Sequence, residues 1–220
     1  MSYNSDPSSI DHTKHRHMKI LHVDSSILGP YSASRQLSAA MVAALRQRHA
    51  GATVTYRDLA ETPPEHFSGG LAMALNTADA STLTPALRDA VAAAEATLQE
   101  FLDADVVVVG APMYNFGVPT QLKAWYDRIG RAGRTFKYTA EGPVGLAGGK
   151  KVYILSSRGG AYAGQPFEAA VDHQEAWLKA VFGFIGITDV TLIRAEGTNL
   201  GDEARAAGIA KALEQIAQAV

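Results

Sequence analysis

The sequence predicts a doubly wound α/β fold built on five parallel strands in the order 2-1-3-4-5. Two observations carry that prediction. Apolar, strand-like runs alternate with amphipathic helical stripes along the chain, a pattern that implies right-handed crossovers. The most apolar run, Val106-Val107-Val108-Val109, has no polar alternation between Asp105 and Gly110, as expected of a central strand covered on both faces. The 220 residues, 47% hydrophobic, suffice for one sizeable core. A net charge of -2 offers no basic surface for nucleic acid and no polybasic patch for a membrane. No apolar run approaches the roughly 18 residues of a membrane-spanning helix. The absence of cysteine removes disulfides and thiolate metal sites and fits a reducing cytoplasm.

Taken in order, residues 1–17 are polar, carry His12, His15 and His17, and lack the apolar centre of a signal peptide. Their composition favours a disordered leader over a metal site, ahead of a single domain spanning 18–220. Met18 opens the first strand, residues 19–23. The connection that follows, from Asp24 to Arg35, is longer than the usual two to six or so residues and suggests a binding loop. A helix then aligns Leu37, Met41, Ala44 and Leu45, with Ser32 or Ser34 as N-cap. Residues 53–58 form the second strand.

Residues 59–83 dissolve into Pro, Gly, Ser, Ala and Thr without a Lys or Arg, and read as an irregular excursion with about one helical turn. Thr84-Pro85 starts a helix whose stripe is Leu87, Val91, Ala94, Leu98 and Phe101. The third strand, 105–110, leads through the loop at residues 111–119 to a short helix with Leu122, Trp125, Tyr126 and Ile129. Residues 130–149 form a second glycine-rich connection. The fourth strand is 151–155, the next helix runs over about 168–184 and is aromatic at Trp177, Phe182 and Phe184, and the fifth strand is 190–195. The final helix carries Ile209, Leu213, Ile216 and Val220. Trp125, Trp177 and Phe182 together offer more aromatic surface than one such domain needs for its own sheet.

In this strand order the switch point lies between strands one and three, where open α/β sheets bind ligands at the strand carboxyl ends. Three loops converge there. Ser32, Ala33 and Ser34 combine hydroxyls with free amides at a helix N-terminus, a ready phosphate site, and Ser26 is placed to add a donor. Arg35 in the first helical turn opposes the helix dipole unless an anion is near. Met113, Tyr114, Asn115 and Phe116 offer soft and flat surfaces, with Asn115 and Gly117 as turn formers. Ser157-Arg158-Gly159-Gly160 lets a ligand approach the backbone closely. His22, Asp24, Ser25 and Ser26 do not build a hydrolytic triad, because residues at one strand end project in parallel or opposite directions. No phosphate-binding loop of the G-x-x-x-x-G-K-[ST] type and no G-x-G-x-x-G is present.

Asp24-Ser25-Ser26 with Ser32-Ala33-Ser34, Ala111-Pro112-Met113-Tyr114-Asn115-Phe116, residues 131–136 and Ser157-Arg158-Gly159-Gly160 together resemble the FMN-dependent NADH:azo/quinone oxidoreductases, the bacterial azoreductase family. The resemblance runs from Met18 to the C-terminus and includes residues 186–190 and 195–197. It implies a flavodoxin-like, cytoplasmic homodimer with two sites at the interface. It also implies FMN, with its phosphate at Ser26, Ser32, Ala33 and Ser34, its ribityl chain and ring along Met113, Tyr114, Asn115 and Phe116, and its edge near Ser157, Arg158, Gly159 and Gly160. NADH is the implied co-substrate, and quinones and aromatic azo compounds the implied acceptors, reduced by ping-pong hydride transfer. No catalytic acid or nucleophile and no metal is implied. A flavodoxin-like electron carrier that passes single electrons is the alternative, set apart by failing to oxidise NADH. Ala33 and the leader depart from the family pattern, and residues 59–83 match it least.

Overall fold

The computed structural model describes residues 17–77 and 79–220. The leader reading therefore falls, His17 apart, outside the described residues. Strand β1 (Lys19–Asp24) is followed by α1 (Ala33–Arg48), β2 (Thr53–Asp58), α2 (Gly69–Ala74) and α3 (Pro85–Asp103). Then come β3 (Val106–Pro112), α4 (Thr120–Ile129), β4 (Phe136–Thr139), β5 (Gly142–Gly145) and β6 (Lys151–Ser157). The chain closes with α5 (Glu168–Val171), α6 (Glu175–Phe184), β7 (Asp189–Ala195) and α7 (Asp202–Ala219). The main sheet is wholly parallel in the order β2-β1-β3-β6-β7, which is 2-1-3-4-5 counted over its own strands.

Every residue of β3 is buried, as its unbroken apolar run requires. Its side chains alternate between two cores. Val107, Val109 and Ala111 pack with Leu98 and Phe101 of α3, Trp125 of α4 and Phe182 of α6. Val106 and Val108 face Leu37, Met41 and Leu45 of α1 and Ala212 and Ile216 of α7. Trp125 and Phe182 are each 1% exposed, and Trp177 leans on the same core. The aromatic excess read from the sequence is therefore mostly interior packing, with Trp125 edge-on to Phe101 and Trp177, which is partly exposed, edge-on to Tyr126.

Three segments differ from the sequence reading. Residues 130–149 contain an antiparallel hairpin, β4–β5, in addition to glycine-rich turns. It is fastened from outside: Thr135 Oγ1 donates to Ile129 O at 2.6 Å, Leu146 N–H to Thr135 O at 2.8 Å, and Ala147 N–H to Ile185 O at 2.9 Å. The helix expected over 168–184 breaks at residues 172–174. There Asp172 Oδ1 accepts the N–H of Glu175 at 2.9 Å and starts α6 afresh. Residues 59–83 hold α2, capped by Ser68 Oγ on Leu71 N–H at 3.1 Å, and a short 3-10 turn over Ala80–Thr82.

Candidate functional site

The loop after β3 is anchored before it turns. Met113 N–H donates to Ser157 O at 2.8 Å, prolonging the β3–β6 pairing, and Ser25 Oγ donates to Gly110 O at 2.8 Å. Gly110 is required here, since a Cβ would stand 2.3 Å from Asp24 Oδ1. Tyr114 and Gly117 exchange both backbone hydrogen bonds at 3.0 Å, so Asn115 and Phe116 form the two-residue tip of a tight turn. Both tip residues are left-handed, at φ +49° and +69°, as such hairpin turns demand. Asn115 is the turn former expected, but the second left-handed residue is Phe116 rather than Gly117. An N–H from His173 to Phe116 O, 3.1 Å, holds this strained carbonyl in place.

The serine loop after β1 folds onto Tyr114. Its hydroxyl lies 3.1 Å from Ser26 Oγ and accepts the Ile27 N–H at 3.2 Å, while Ser26 Oγ accepts the Leu28 N–H at 3.2 Å. Ser32 is the N-cap of α1, accepting from Arg35 N–H at 3.3 Å, and Ser34 Oγ sits 3.1 Å from Ser32 Oγ. The first intrahelical bond runs from Gln36 N–H to Ser32 O, so the amides of Ala33 and Ser34 lie ahead of it and face the loop as unclaimed donors. Arg35 finds its anion within the fold. Its guanidinium clasps Asp58 with two bonds of 2.6 Å and donates to Ser26 O at 2.8 and 3.1 Å. The Arg35 hydrogen bond holds the Asp58 carboxyl below the ordinary aspartate value of 3.8, and Asp58 in turn raises the pKa of Arg35. Asp58 is thus the anion that offsets Arg35 against the helix dipole. Ser25 and Asp24 are likewise engaged with Gly110 and with Ser38 and Tyr56, which leaves no triad.

The loop after β6 is built around a buried arginine. Arg158 is fully buried, with Nη2 2.8 Å from Asp172 and 3.0 Å from Glu175 and Nη1 3.6 Å from Glu196. Its guanidinium is taken up by these carboxylates, and what the loop presents at the sheet edge is backbone. Gln174, also fully buried and missed by the sequence reading, joins this loop to the β3 loop. Its Nε2 donates to Ala111 O at 2.6 Å, and its Oε1 accepts from Arg158 Nε at 3.3 Å. Residues after β7 complete the wall: Thr198 N–H donates to Arg158 O at 3.1 Å and Asn199 N–H to Gly159 O at 3.0 Å. A Cβ on Gly159 would lie 2.7 Å from Asn199 Nδ2, so glycine lets the Asn199 side chain pack against this closure.

These loops enclose a cavity of about 100 Å³ at the carboxyl ends of β1, β3 and β6. Of the predicted residues, Ser26, Ser32, Ala33, Met113, Tyr114, Ser157 and Gly159 line it directly. Ser34, Asn115, Phe116, Arg158 and Gly160 stand around it. Thr198, Asn199 and Arg205 also line it, and sequence reasoning missed them. The signal available was the polar turn Gly197-Thr198-Asn199-Leu200-Gly201, placed after a strand at the same sheet edge.

A parallel sheet of this order with a polar cavity at its switch point defines a flavodoxin-like protein. The family model described as "Flavodoxin-like fold" matches residues 18–220. An FMN-dependent NADH:quinone oxidoreductase of Azospirillum brasilense is 57% identical over 199 residues, 90% of this chain and 96% of the relative. FMN-dependent NADH:quinone oxidoreductase 2 of Pseudomonas aeruginosa is 56% identical over 200 residues, 91% and 97% of the two chains. Among solved structures, an FMN-dependent NADH-azoreductase from Bacillus anthracis in complex with FMN superposes with a TM-score of 0.83 at 25% identity, covering 92% of this chain and 97% of that one. A second azoreductase from Bacillus anthracis gives 0.80 at 33% identity, covering 91% and 99%. The chain belongs to the FMN-dependent NADH:quinone oxidoreductase family.

Proposed function

We propose that this protein uses FMN and NADH to reduce quinones to hydroquinones and azo compounds to amines. The observation that carries the reading is the donor set of the cavity. Among the described residues its lining presents serine and threonine hydroxyls, helix-start amides and the Arg205 guanidinium, and no carboxylate. That set suits the terminal phosphate of FMN. Ser26, Ser32, Ala33 and Ser34 would hold the phosphate, Met113 to Phe116 the ribityl chain and ring, and the backbone of residues 157–160 the ring edge. About 100 Å³ is small beside the roughly 300–1,000 Å³ of whole-ligand pockets, so it suits one end of a ligand, here the terminal phosphate.

Bound FMN supplies the capacity to take an electron pair as hydride and return it to an acceptor. The protein's own part is to bind, orient and exclude water. The turn at Asn115 and Phe116, locked by His173, fixes one wall, and the 157–160 backbone, zipped to residues 197–199, fixes the other. Both walls rise from the sheet, so donor and acceptor reach the same open side and take turns there. No side chain is assigned a proton-transfer role. The test is an initial-rate matrix of NADH against a benzoquinone: parallel double-reciprocal lines are expected, and intersecting lines would refute alternating occupancy. NADH left unoxidised by FMN-loaded protein would instead identify an electron carrier.

The same proposal includes a homodimer. It rests on Ile27, Leu28, Tyr31, Phe116 and Phe167, exposed apolar side chains carried by the segments after β1, β3 and β6 at the sheet's carboxyl edge. Sedimentation showing a monomer with full FMN occupancy would overturn it. A cytoplasmic location, where NADH is available, belongs to the same proposal; no helix of the described residues is long and apolar enough to cross a membrane.

A further inference from the structure

A second cavity, of about 540 Å³, lies between α3, α4 and residues 62–65, and shares no lining residue with the cavity at the sheet edge. Its volume falls within the roughly 300–1,000 Å³ of small-molecule sites. Alanines of α3, among them Ala90 and Ala93, give it a flat apolar wall. Two arginines reach it. Arg57 is neutralised, its Nε and Nη2 on Glu100 at 2.9 and 2.5 Å.

Arg128 is not neutralised. It is 6% exposed, and its Nη1 donates to Ala124 O of its own helix at 2.9 Å. Among the described residues no carboxylate stands at ion-pair distance from it. Glu65 and Asp89 also line the cavity, but both are exposed and neither pairs with Arg128, on which Glu65 acts only from beyond ion-pair distance. A guanidinium keeps its proton in a protein, so burying one without a counter-ion carries a large desolvation cost. That cost shows as a pKa lowered by burial, which the charges of Glu65 and Asp127 only partly offset. A charge in this position calls for an anion from outside.

We propose that this cavity binds a small organic monoanion, with its carboxylate or sulfonate on Arg128 and its apolar body against the alanine wall of α3. The planar guanidinium suits either head group, and the wall suits an aromatic or short aliphatic body. Occupancy fastens residues 62–65 to α3 and α4, and so tethers the start of the irregular 59–83 segment.

The probe is benzoate, titrated calorimetrically into FMN-loaded protein. Wild type binds it saturably, one per chain, while benzamide, the neutral analogue, does not compete. Arg128→Met weakens benzoate binding by about tenfold or more, the worth of a charge-assisted hydrogen bond. Ala90→Leu, which fills the wall and keeps the cation, does the same, and FMN content is unchanged in both variants. Equal benzoate affinity in wild type and Arg128→Met, competition by benzamide, or no saturation in wild type would each overturn the proposal. If Arg128→Met does not fold, Ala90→Leu against wild type decides. A carboxylate of a second copy as the occupant would show as a shifted dimer dissociation midpoint in Arg128→Met without benzoate binding to wild type, and would equally overturn it.

Discussion

Phe116 holds a backbone conformation that L residues avoid, at φ +69°, with its ring 46% exposed. The left-handed region costs a non-glycine residue roughly 1–2 kcal/mol, and such strain persists only where neighbours over-determine it. Phe116→Gly is therefore expected to be more stable than Phe116→Ala by about 1 kcal/mol in chemical unfolding, the reverse of the usual ranking. Comparing these two variants cancels the loss of the ring. Ser32 serves two ends at once, capping α1 and lining the cavity. Ser32→Ala should weaken FMN binding by about 1.5–3 kcal/mol and stability of the FMN-free chain by about 1 kcal/mol, read by fluorescence titration and urea unfolding. Asp58 supplies a pH test. Because Arg35 holds its folded pKa below 3.8, the pair's contribution is complete above 3.8 and is lost as pH falls through the lower folded value. Wild type should lose stability steeply in that acid window, and Asp58→Asn, less stable at neutral pH, should show a shallower loss there.

At the scale of elements, the break between α5 and α6 ties the site together. His173 reaches Phe116, Gln174 reaches Ala111 and Arg158, and Asp172 reaches Arg158, so three consecutive residues link the β3 loop to the β6 loop. Gln174→Ala removes the buried amide that bonds Ala111 O, Arg158 Nε and Ser156 Oγ, and should destabilise the fold by about 1–3 kcal/mol, measured by urea unfolding. This break was not legible in the sequence. The apolar and aromatic spacing over 168–184 reads through it, and what stops the helix is side-chain bonding to strands some sixty residues earlier. The β4–β5 hairpin was hidden for a related reason: Gly142-Pro143-Val144-Gly145 has little strand propensity and pairs because Thr135 and Ile185 hold its flanks. The parallel strands were legible, since burial on both faces leaves unbroken apolar runs. The serine and Met-Tyr-Asn-Phe loops were legible by residue type and place. The orientation of Arg158 was not, because its partners Asp172, Glu175 and Glu196 lie on other elements.

For the molecule as a whole, the cavity is a product of the finished sheet. Its walls come from residues 26–33, 112–114, 157–159 and 198–205, segments that meet only when β1, β3, β6 and β7 are paired. Closing those distant connections is the slow part of forming a parallel sheet. A ligand that needs all four walls has nothing to grip until after the rate-limiting barrier. FMN should therefore leave the refolding rate unchanged and act wholly on unfolding, by about 100-fold at a free concentration 100 times its dissociation constant. Stopped-flow chevrons with and without FMN would separate in the unfolding limb alone. A faster refolding limb would mean that the serine loop and the β3 turn already meet in the transition state. On this account the cofactor is a latch rather than a template: newly made chains fold at the same speed whether flavin is scarce or plentiful, and scarcity shortens only the lifetime of the folded protein.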